Sequence, residues 1–360
     1  MKTEQSKGLN FKGQNLYIGI DVHLKSWLVT IVSEHLVLKK FSQPPSASAL
    51  YGFLTRHYPG ASYHSVYEAG YSGFWIHEEL IRLGINNIIV NPSDVPQMVK
   101  EKLHKTDAVD SAKLARALRS GELKGIYIPE RQALENRSLI RLRSSIVKDL
   151  TRDKNRIKAM LRFYGIVFPE QFERPTTHWS KRFMLWLKSI ELQTESGRQT
   201  LSLIIKEAEN QRNLLLEITR AIRDLSRTAV FSNRMKLVTS VPGIGAITGM
   251  SLLTEIDDIS RFKNADQLVA YIGFIPMCHS SGEHDYTGNM TFRKHNTLRS
   301  LLVESAWKAV RNDPAMTAAY ESYRKRMPAG KAIIKIARKI VTRVFFVLKR
   351  EQEYVPCVVK

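Results

Sequence analysis

The alternation of strand-like and helix-like segments over roughly the first 125 residues constrains the fold most. Short β-rich runs end at Asp21, cover Trp27 to Val32, end again at Glu68 and stop before Pro92. Helical spacing of apolar residues fills the intervals at Ser46 to His57 and Phe74 to Leu83. An initial meander followed by alternating strands and helices predicts an α/β fold with helices packed on a mixed sheet.

The remainder of the chain has a helical pattern. The run from Ser138 to Arg162 is helical and basic, and Gly330 to Lys349 predicts a helix with one apolar and one cationic face. A heptad seam lies between them and consists of Leu201, Ile204, Ala208, Gln211, Leu215, Ile218, Ile222 and Leu225. Such a seam packs either within a helical hairpin of one chain or in a coiled coil between chains. We expect an α-helical region after the α/β region.

Charge predicts a polyanionic partner. Lys and Arg number 55 against 34 acids, which gives a formal net charge of +21 and a pI near 9.9. Nucleic acid is the first candidate and an acidic membrane surface the second, while the alternative is a basic protein with no such partner. The sequence has no run of about 18 apolar residues and no apolar signal-peptide core, so no membrane segment is expected. Cys278 and Cys357 fit a reducing cytoplasm.

Four acids are the candidate metal ligands. Asp21 and Glu68 end strands, and Asp107 and Asp110 lie three residues apart on one predicted helix face. Converging carboxylates repel one another unless a cation neutralises them, and oxygen ligands suit Mg²⁺ or Mn²⁺. Two such ions promote phosphodiester chemistry in many enzymes. The alternative is that each acid is a turn residue or a helix-start residue.

A glycine-containing stretch, LVTSVPGIGAITGMSLLTEI, predicts two short helices joined by a tight turn. Gly243 and Gly245 would expose backbone N–H groups, which bind phosphate without reading bases. This pattern is typical of a helix-hairpin-helix element. An ordinary helical turn with a glycine cap is the alternative.

A polar loop further along the chain holds Ser280 and Ser281 before Gly282. A serine in such a loop is a nucleophile only if a neighbouring group activates it, and no general base is identifiable. On these residues alone, the serine is an ordinary turn residue. Positive charge follows at Arg293, Lys294 and Arg299.

The order of these motifs resembles the DEDD transposases of the IS110 insertion-sequence family, relatives of the pilin-gene invertase. The likeness lies in YIGIDVH, YEAG, KTDAVDSAKLARAL, VPGIG, GFIP…SSGE and GNMTFRKHNTLRSLLVESAW, which together extend from about Leu16 to Tyr320. It implies an RNase H-like (RuvC-like) catalytic domain at 1–165, a helical coiled-coil connector at 166–232 and a mainly helical transposase domain at 233–360.

The resemblance also implies roles for particular residues. Asp21, Glu68, Asp107 and Asp110 would be Mg²⁺ ligands, and Ser281, the serine directly before glycine, would attack DNA and form a phosphoserine link. Further partners implied are a structured noncoding "bridge" RNA and other copies of the chain, as dimers or tetramers in which different subunits contribute the acids and the serine. A cytoplasmic, nucleoid-associated location follows from such partners.

Phosphate contacts are expected at a wider set of residues, just before Asp107, on the basic helix, at the glycine turn and around the serine loop. These are Lys105, Arg141, Arg143, Arg152, Lys154, Arg156, Lys158, Gly243, Gly245, Arg293, Lys294 and Arg299.

The sequence departs from the family pattern at two places. Ser280 precedes Ser281, so either serine could be the nucleophile, and His295 stands where the family commonly has glycine.

Two other functions compete with recombination. A metal-dependent junction nuclease would use the same acids, with water as its nucleophile. A non-enzymatic nucleic-acid binder would use the acids only as caps and would show no Mg²⁺-dependent activity.

Overall fold

Two units make up the fold of the computed structural model, which describes residues 10–96, 107–281 and 284–356. Within these ranges, side chains are left undescribed at 107–108, 278–281, 284–287 and 289. The first unit extends to Ile128 and the second begins at Pro129. None of the helices in the described ranges combines the length and the apolar character that a bilayer span needs.

A five-stranded mixed sheet forms the first unit. Its strands follow the spatial order β3-β2-β1-β4-β5. β1 pairs antiparallel with β2, which pairs antiparallel with β3, while β1–β4 and β4–β5 are parallel. The bounds are β1 Asn15–Val22, β2 Trp27–Val32, β3 Val37–Gln43, β4 Ser62–Glu68 and β5 Asn86–Val90. The predicted meander and mixed α/β sheet are therefore confirmed.

Helices cover both faces of this sheet. One face of β1 presents Leu16, Ile18 and Ile20, which are fully buried in a cluster with residues of the first two helices. The opposite face of the sheet carries a smaller cluster, which includes Val66 of β4 and Leu114 of the third helix. The helices are α1 Ala47–His57, α2 Trp75–Arg82 and α3 Asp107–Arg119. Because side chains alternate along a strand, successive side chains of β1 lie on opposite faces of the sheet.

A backbone contact at Gly19 sets the position of α3 on the sheet. A Cβ atom at Gly19 would overlap the carbonyl oxygen of Ser111 and lie 2.5 Å from the amide nitrogen of Ala115. Glycine in a strand interior marks such close backbone approaches. The hydroxyl groups of Thr30 and Ser111, both buried, form a hydrogen bond of 2.9 Å that fixes the same helix to β2.

The second unit begins with two long helices packed on each other. α4 Arg131–Phe163 and α6 Glu195–Ser226 flank the short α5 Lys181–Lys188. Leu201, Ile205 and Ala208 of the heptad region are buried in one cluster with Ile157 and Leu161 of α4. Of the two predicted arrangements, the structure shows the helical hairpin within one chain. The three-domain division at 165 and 232 stays a prediction.

Six further helices and one hairpin complete the described part of the second unit around a single apolar cluster. The helices are α7 Ser232–Ser240, α8 Ala246–Ile256, α9 Ala265–Ile272, α10 Asn296–Asn312, α11 Pro314–Arg324 and α12 Ala329–Arg350, and the hairpin is β6 Pro276–Ser281 with β7 His284–Met290. The apolar face of α12, including Ile336, Ile340 and Val344, is fully buried in that cluster. The predicted helices at the basic run and at the C-terminal segment are confirmed.

We predict that Gly19→Ala destabilises the protein by about 3 kcal/mol, because the methyl group meets backbone atoms that move only if α3 moves. Chemical denaturation measures the change. Gly52→Ala is the control, because Gly52 lies within α1 and no atom lies within 4 Å of the place that an added methyl group would take; its substitution is expected to stabilise by up to about 1 kcal/mol. Equal stability of the Gly19→Ala variant and the native protein would contradict the contact.

Candidate active site

Two carboxylates, Asp21 and Glu68, lie at the ends of neighbouring parallel strands. Ile20 pairs with Tyr67 across β1 and β4, so Asp21 and Glu68 form the next pair along the two strands. Gly19, two residues before Asp21, contacts α3. Since side chains alternate between faces, both carboxylates project to the α3 side of the sheet. Their side chains are 23% and 34% exposed, which leaves them accessible from solvent.

Asp110 adds a carboxylate from α3, and a lysine links it to Glu68. The Lys113 Nζ atom lies 3.0 Å from Oδ1 of Asp110 and 4.0 Å from Oε1 of Glu68. The lysine side chain is only 8% exposed. A buried ammonium group needs carboxylate partners, because its desolvation is otherwise costly. The structure thus brings a strand-end acid and a helix acid together around one positive charge.

The other two predicted acids are Asp21, near the end of β1, and Asp107, at the start of α3. Oδ2 of Asp21 lies 3.1 Å from Nε2 of His23, two residues further along the chain. Asp107 is the first residue of α3, and its side chain lies outside the described residues, as do all atoms of Lys105. Because Asp107 precedes Asp110 by three positions in the same helix, both belong to one helix face.

The donor set fits a hard divalent cation by its chemistry. Asp21, Glu68 and Asp110 offer only carboxylate oxygens, and the strand ends hold them on the side of the helix acid. Oxygen ligands of this kind suit Mg²⁺ or Mn²⁺. Among the described side chains, which exclude that of Asp107, no three His, Cys, Asp or Glu residues lie close enough together to bind one ion.

The serine loop lies in the second unit. Ser281 ends β6 and pairs with His284 of β7, and Ser280 pairs with Asp285. The two intervening residues and the side chains of Ser280 and Ser281 lie outside the described part of the chain. Ser280 and Ser281 are therefore the last two residues of β6, which pairs with β7. The base of this hairpin is held by a hydrogen bond of 3.0 Å from the amide of Thr291 to the carbonyl of Ile275.

A buried glutamate organises the region where the chain leaves this hairpin. Glu255 of α8 is 2% exposed. Arg141 donates two hydrogen bonds to its carboxylate, of 2.8 and 3.0 Å, and Arg137 Nε lies 3.3 Å away. Nε2 of His295 is 3.3 Å from the same carboxylate. Three basic side chains thus meet at one acid, which ties α4 and the start of α10 to α8.

The ionised state of Glu255 is favoured by these partners. Burial alone raises the pKa of its carboxyl, but hydrogen bonds from His295 and Arg141, with their charges, lower the pKa to about 2. His295 has a second role, since its Nδ1 accepts a hydrogen bond of 3.2 Å from the amide of Leu298 and so caps α10. The histidine that departs from the family pattern is therefore a helix cap held by Glu255.

Most of the predicted phosphate contacts on α4 have protein partners. Arg141 binds Glu255, Arg143 donates to the hydroxyl of Thr219, Arg152 pairs with Asp149, and Arg156 pairs with Asp153 and Glu207. Lys154 and Lys158 instead lie over the ring of Trp179. Among the described residues, Lys154 and Lys158 are thus two α4 cations without a carboxylate partner, whereas Arg141, Arg152 and Arg156 are paired.

The remaining predicted contacts lie at the glycine turn and near the hairpin. Gly243 adopts φ +89°, and a Cβ atom there would overlap the carbonyl oxygen of Ser305, so its lack of a side chain also serves packing against α10. Gly245 precedes α8, and the space where its Cβ atom would lie is open. Arg299 donates to the sulfur of Met290, and the amide of Arg293 donates to Thr291. Lys294 lines a cavity with Arg141 and Lys148.

Sequence reasoning missed three residues that organise these sites: Gly19, Lys113 and Glu255. A glycine within the β-branched and apolar strand YIGID is a signal for close approach, and Lys113 follows Asp110 by three positions. Glu255 lies at the end of an otherwise apolar helix, LLTEI, which is a signal for a buried and paired acid.

Two family models match the chain. The model for DEDD transposases of IS110 type, described as "Transposase", matches residues 18–166. The model described as "Transposase IS116/IS110/IS902 family" matches residues 235–321. The first match contains the four candidate acids, and the second contains the glycine turn and the serine hairpin. The two matched segments thus coincide with the two groups of candidate site residues.

Curated relatives are similar over much of the chain. The putative transposase y4qE of Sinorhizobium fredii is 27% identical over 241 residues, which are 67% of this chain and 57% of that protein. The transposase for insertion sequence element IS1111A of Coxiella burnetii is 24% identical, and the match covers 76% of this chain and 74% of that transposase. That for IS1533 of Leptospira borgpetersenii is 25% identical, with coverage of 82% and 85%.

We predict that Lys113→Met destabilises the protein by about 2 kcal/mol in the absence of divalent metal, because Glu68 and Asp110 lose the charge between them. Urea denaturation in a chelating buffer measures the change. The exposed Lys124 provides the matched control, since Lys124→Met removes the same charge from the same unit. Indistinguishable losses in the two variants would show that the ammonium group has no special part in the site.

We further predict that Glu255→Gln costs about 3 kcal/mol at pH 7, because buried Arg137 and the partners Arg141 and His295 lose their anion. The folded pKa lies below the ordinary value of 4.5, so the contribution is complete above pH 4.5 and is lost as pH falls towards 2.

The difference in unfolding free energy between native protein and variant should therefore narrow on acidification below pH 4.5. Denaturant titrations at a series of pH values measure it. Glu217→Gln, at an exposed position of α6, is the control and should change stability little. A constant difference across the acid range would contradict the assigned charge state.

Proposed function

This chain belongs to the IS110 family of DEDD transposases, and we propose that it cuts and rejoins DNA to excise and insert a mobile element. The observation that carries the proposal is the position of the acids. Glu68 from a strand end and Asp110 from α3 meet at Lys113, while Asp21 lies beside Glu68 on the same face. The arrangement is that expected of an RNase H-like (RuvC-like) catalytic domain, which we propose as the fold of the first unit.

Divalent metal is the proposed cofactor of this site. Asp21, Glu68, Asp107 and Asp110 would hold Mg²⁺ or Mn²⁺, as the oxygen donors favour. When bound, the metal would supply charge that polarises a phosphodiester and stabilises the developing negative charge. Lys113 is the group that would adjust to it, because its ammonium now lies between two of the proposed ligands. Gly19 maintains the spacing, since it determines how closely α3 approaches the strand ends.

Ser281 is the proposed nucleophile. Its hydroxyl oxygen would form a bond to phosphorus while the bond from phosphorus to the leaving deoxyribose oxygen breaks, and the net step moves the hydroxyl proton to that oxygen. A hydroxyl group of a second strand would then attack the phosphoserine link and release the serine. The position of Ser281 at the last residue of β6 supports this role, because catalytic residues are often placed where a rigid element ends.

Partners of three kinds follow from the proposal. DNA is the substrate, and a structured noncoding bridge RNA would pair with element and target sequences. The net charge of +21 supports polyanionic partners of both kinds. Other copies of the chain would supply the acids and the serine of one reaction from different subunits. The glycine turn between α7 and α8 is the proposed helix-hairpin-helix contact to phosphate, and the proposed location is the nucleoid in the cytoplasm.

We predict that the protein forms a covalent species with labelled element-end DNA in the presence of Mg²⁺, and that Ser281→Ala abolishes it. A denaturing gel separates this species from free DNA. Ser280→Ala is the matched control and should retain it. Retention in Ser281→Ala with loss in Ser280→Ala would move the nucleophile by one residue.

Asp110→Asn tests whether the proposed metal-binding acids are needed to form the covalent species. We expect the adduct to form at least roughly 100-fold more slowly, since charge stabilisation by metal contributes several kcal/mol, while DNA affinity stays near that of the native protein. Cleavage without any covalent species would instead favour the junction nuclease with a water nucleophile. Undiminished activity in Asp110→Asn would contradict the proposed site.

A further inference from the structure

A groove of about 840 Å³ lies between α4, α5 and α6, outside the acids and the serine hairpin. Its lining is strongly cationic and includes Lys154, Lys181, Lys206 and Arg212, with Trp179 at one side. Glu209 is the acid among the lining residues, and it pairs with Lys188 at 2.7 Å. The lining therefore has a large excess of positive charge.

Three cations of this region are held close together without a carboxylate. The ammonium groups of Lys154 and Lys158 lie 5.2 and 5.9 Å from the centre of the Trp179 ring. Arg212 donates a hydrogen bond of 3.2 Å to the carbonyl of the same tryptophan. Among the residues that the structure describes, none of the three cations forms an ion pair.

One member of this cluster has a lowered pKa. Burial lowers the pKa of Lys154, and the neighbouring charges of Arg212 and Lys158 lower it further. Like charges gathered at a groove favour an anion that would relieve the repulsion. Elsewhere on α4, by contrast, Arg141, Arg152 and Arg156 all have carboxylate partners.

The cluster is maintained by an unusual backbone. Trp179 adopts φ +69°, in the left-handed region that bulky residues rarely occupy. Its indole ring provides the negative face over which both lysines lie. Arg212 holds the carbonyl of the same residue. Trp179 thus positions three cations at once, and strain of this kind is concentrated at functional sites.

We propose that this groove binds the phosphodiester backbone of a nucleic-acid strand, with Lys154, Lys158 and Arg212 at the phosphates and Lys181 and Lys206 at the rim. The proposal rests on the proposed function in that the chain acts on nucleic acid, and it adds a binding site on the helical hairpin. Phosphate oxygens match ammonium and guanidinium donors without regard to base sequence. DNA and RNA share this chemistry, and the experiment separates them.

The test compares two double variants that change the net charge equally. Lys154→Gln with Arg212→Gln alters the groove. Arg198→Gln with Arg227→Gln removes two cations at α6 that are paired with Glu195 and Asp224. Affinity for a labelled single-stranded DNA of about 30 nucleotides, and for RNA of the same sequence, is measured by fluorescence anisotropy at several salt concentrations.

We expect the groove variant to bind at least about tenfold more weakly at low salt, with a salt slope reduced by about one to two. The control variant should stay within about threefold of the native protein. The nucleic acid whose affinity falls more is the one that occupies the groove. Equal affinities of groove variant, control variant and native protein would overturn the proposal while leaving the proposed function intact, whereas no binding by native protein would overturn the proposed function itself.

A second pair of substitutions guards against loss of folding. Thermal unfolding shows whether the groove variant retains its structure. Lys181→Gln with Lys206→Gln alters two exposed positions at the rim and leaves the contacts of Trp179 in place. This variant should weaken binding of the same nucleic acid in the same direction. A rim variant that binds as tightly as the control variant would overturn the proposal.

Discussion

The approach of α3 to β1 at Gly19 is the contact on which the proposed active site depends. A helix and a strand normally lie apart by the width of their side chains, but here the helix backbone occupies the space of a missing Cβ atom. The hydrogen bond between Thr30 and Ser111 fixes the same helix laterally. As a result, Asp110 on the helix lies near the strand-end acid Glu68, and the distance between them is set by backbone rather than by flexible side chains.

Charged groups are arranged in three different ways in this protein. At Glu255, three basic groups surround one buried acid and join the long helix α4 to α8 and α10, which makes the pairing structural. At the strand ends the ratio is reversed, because one buried lysine contacts two acids. Near Trp179, none of Lys154, Lys158 and Arg212 forms an ion pair with a described acid, and the nearby Glu209 pairs with Lys188 instead. The strand-end site has an excess of negative charge and the Trp179 cluster has an excess of positive charge, and a bound ligand of opposite sign would relieve either.

Much of the fold was predictable from local patterns. The meander, the alternating strands and helices, and the long basic helix follow from apolar periodicity, and the acids at strand ends follow from their position after apolar runs. The heptad seam predicted helix packing but not its partner, since the same pattern serves packing within a chain and between chains. In the structure, α4 of the same chain packs against the heptad region of α6.

The unpredicted features depend on contacts between residues that are distant in sequence. Glu255 binds Arg141 across 114 positions, and Arg156 of the same basic helix binds Glu207 across 51 positions. Trp179 lies in an irregular segment, where a left-handed backbone has no sequence signature unless glycine or asparagine is present. The proposed role of Ser281 as nucleophile comes from the resemblance to the family. The residues around Ser281, taken alone, indicate only an ordinary turn residue.

Anomalous scattering from crystals grown with Mn²⁺ tests the central claim most directly, namely that the strand-end and helix acids hold a divalent cation. The account predicts an anomalous peak bonded to carboxylate oxygens of Asp21, Glu68 and the Asp107–Asp110 pair, with the Lys113 ammonium displaced from between Glu68 and Asp110. Saturating Mn²⁺ with no peak among these acids, and with Lys113 still in contact with both carboxylates, would contradict it.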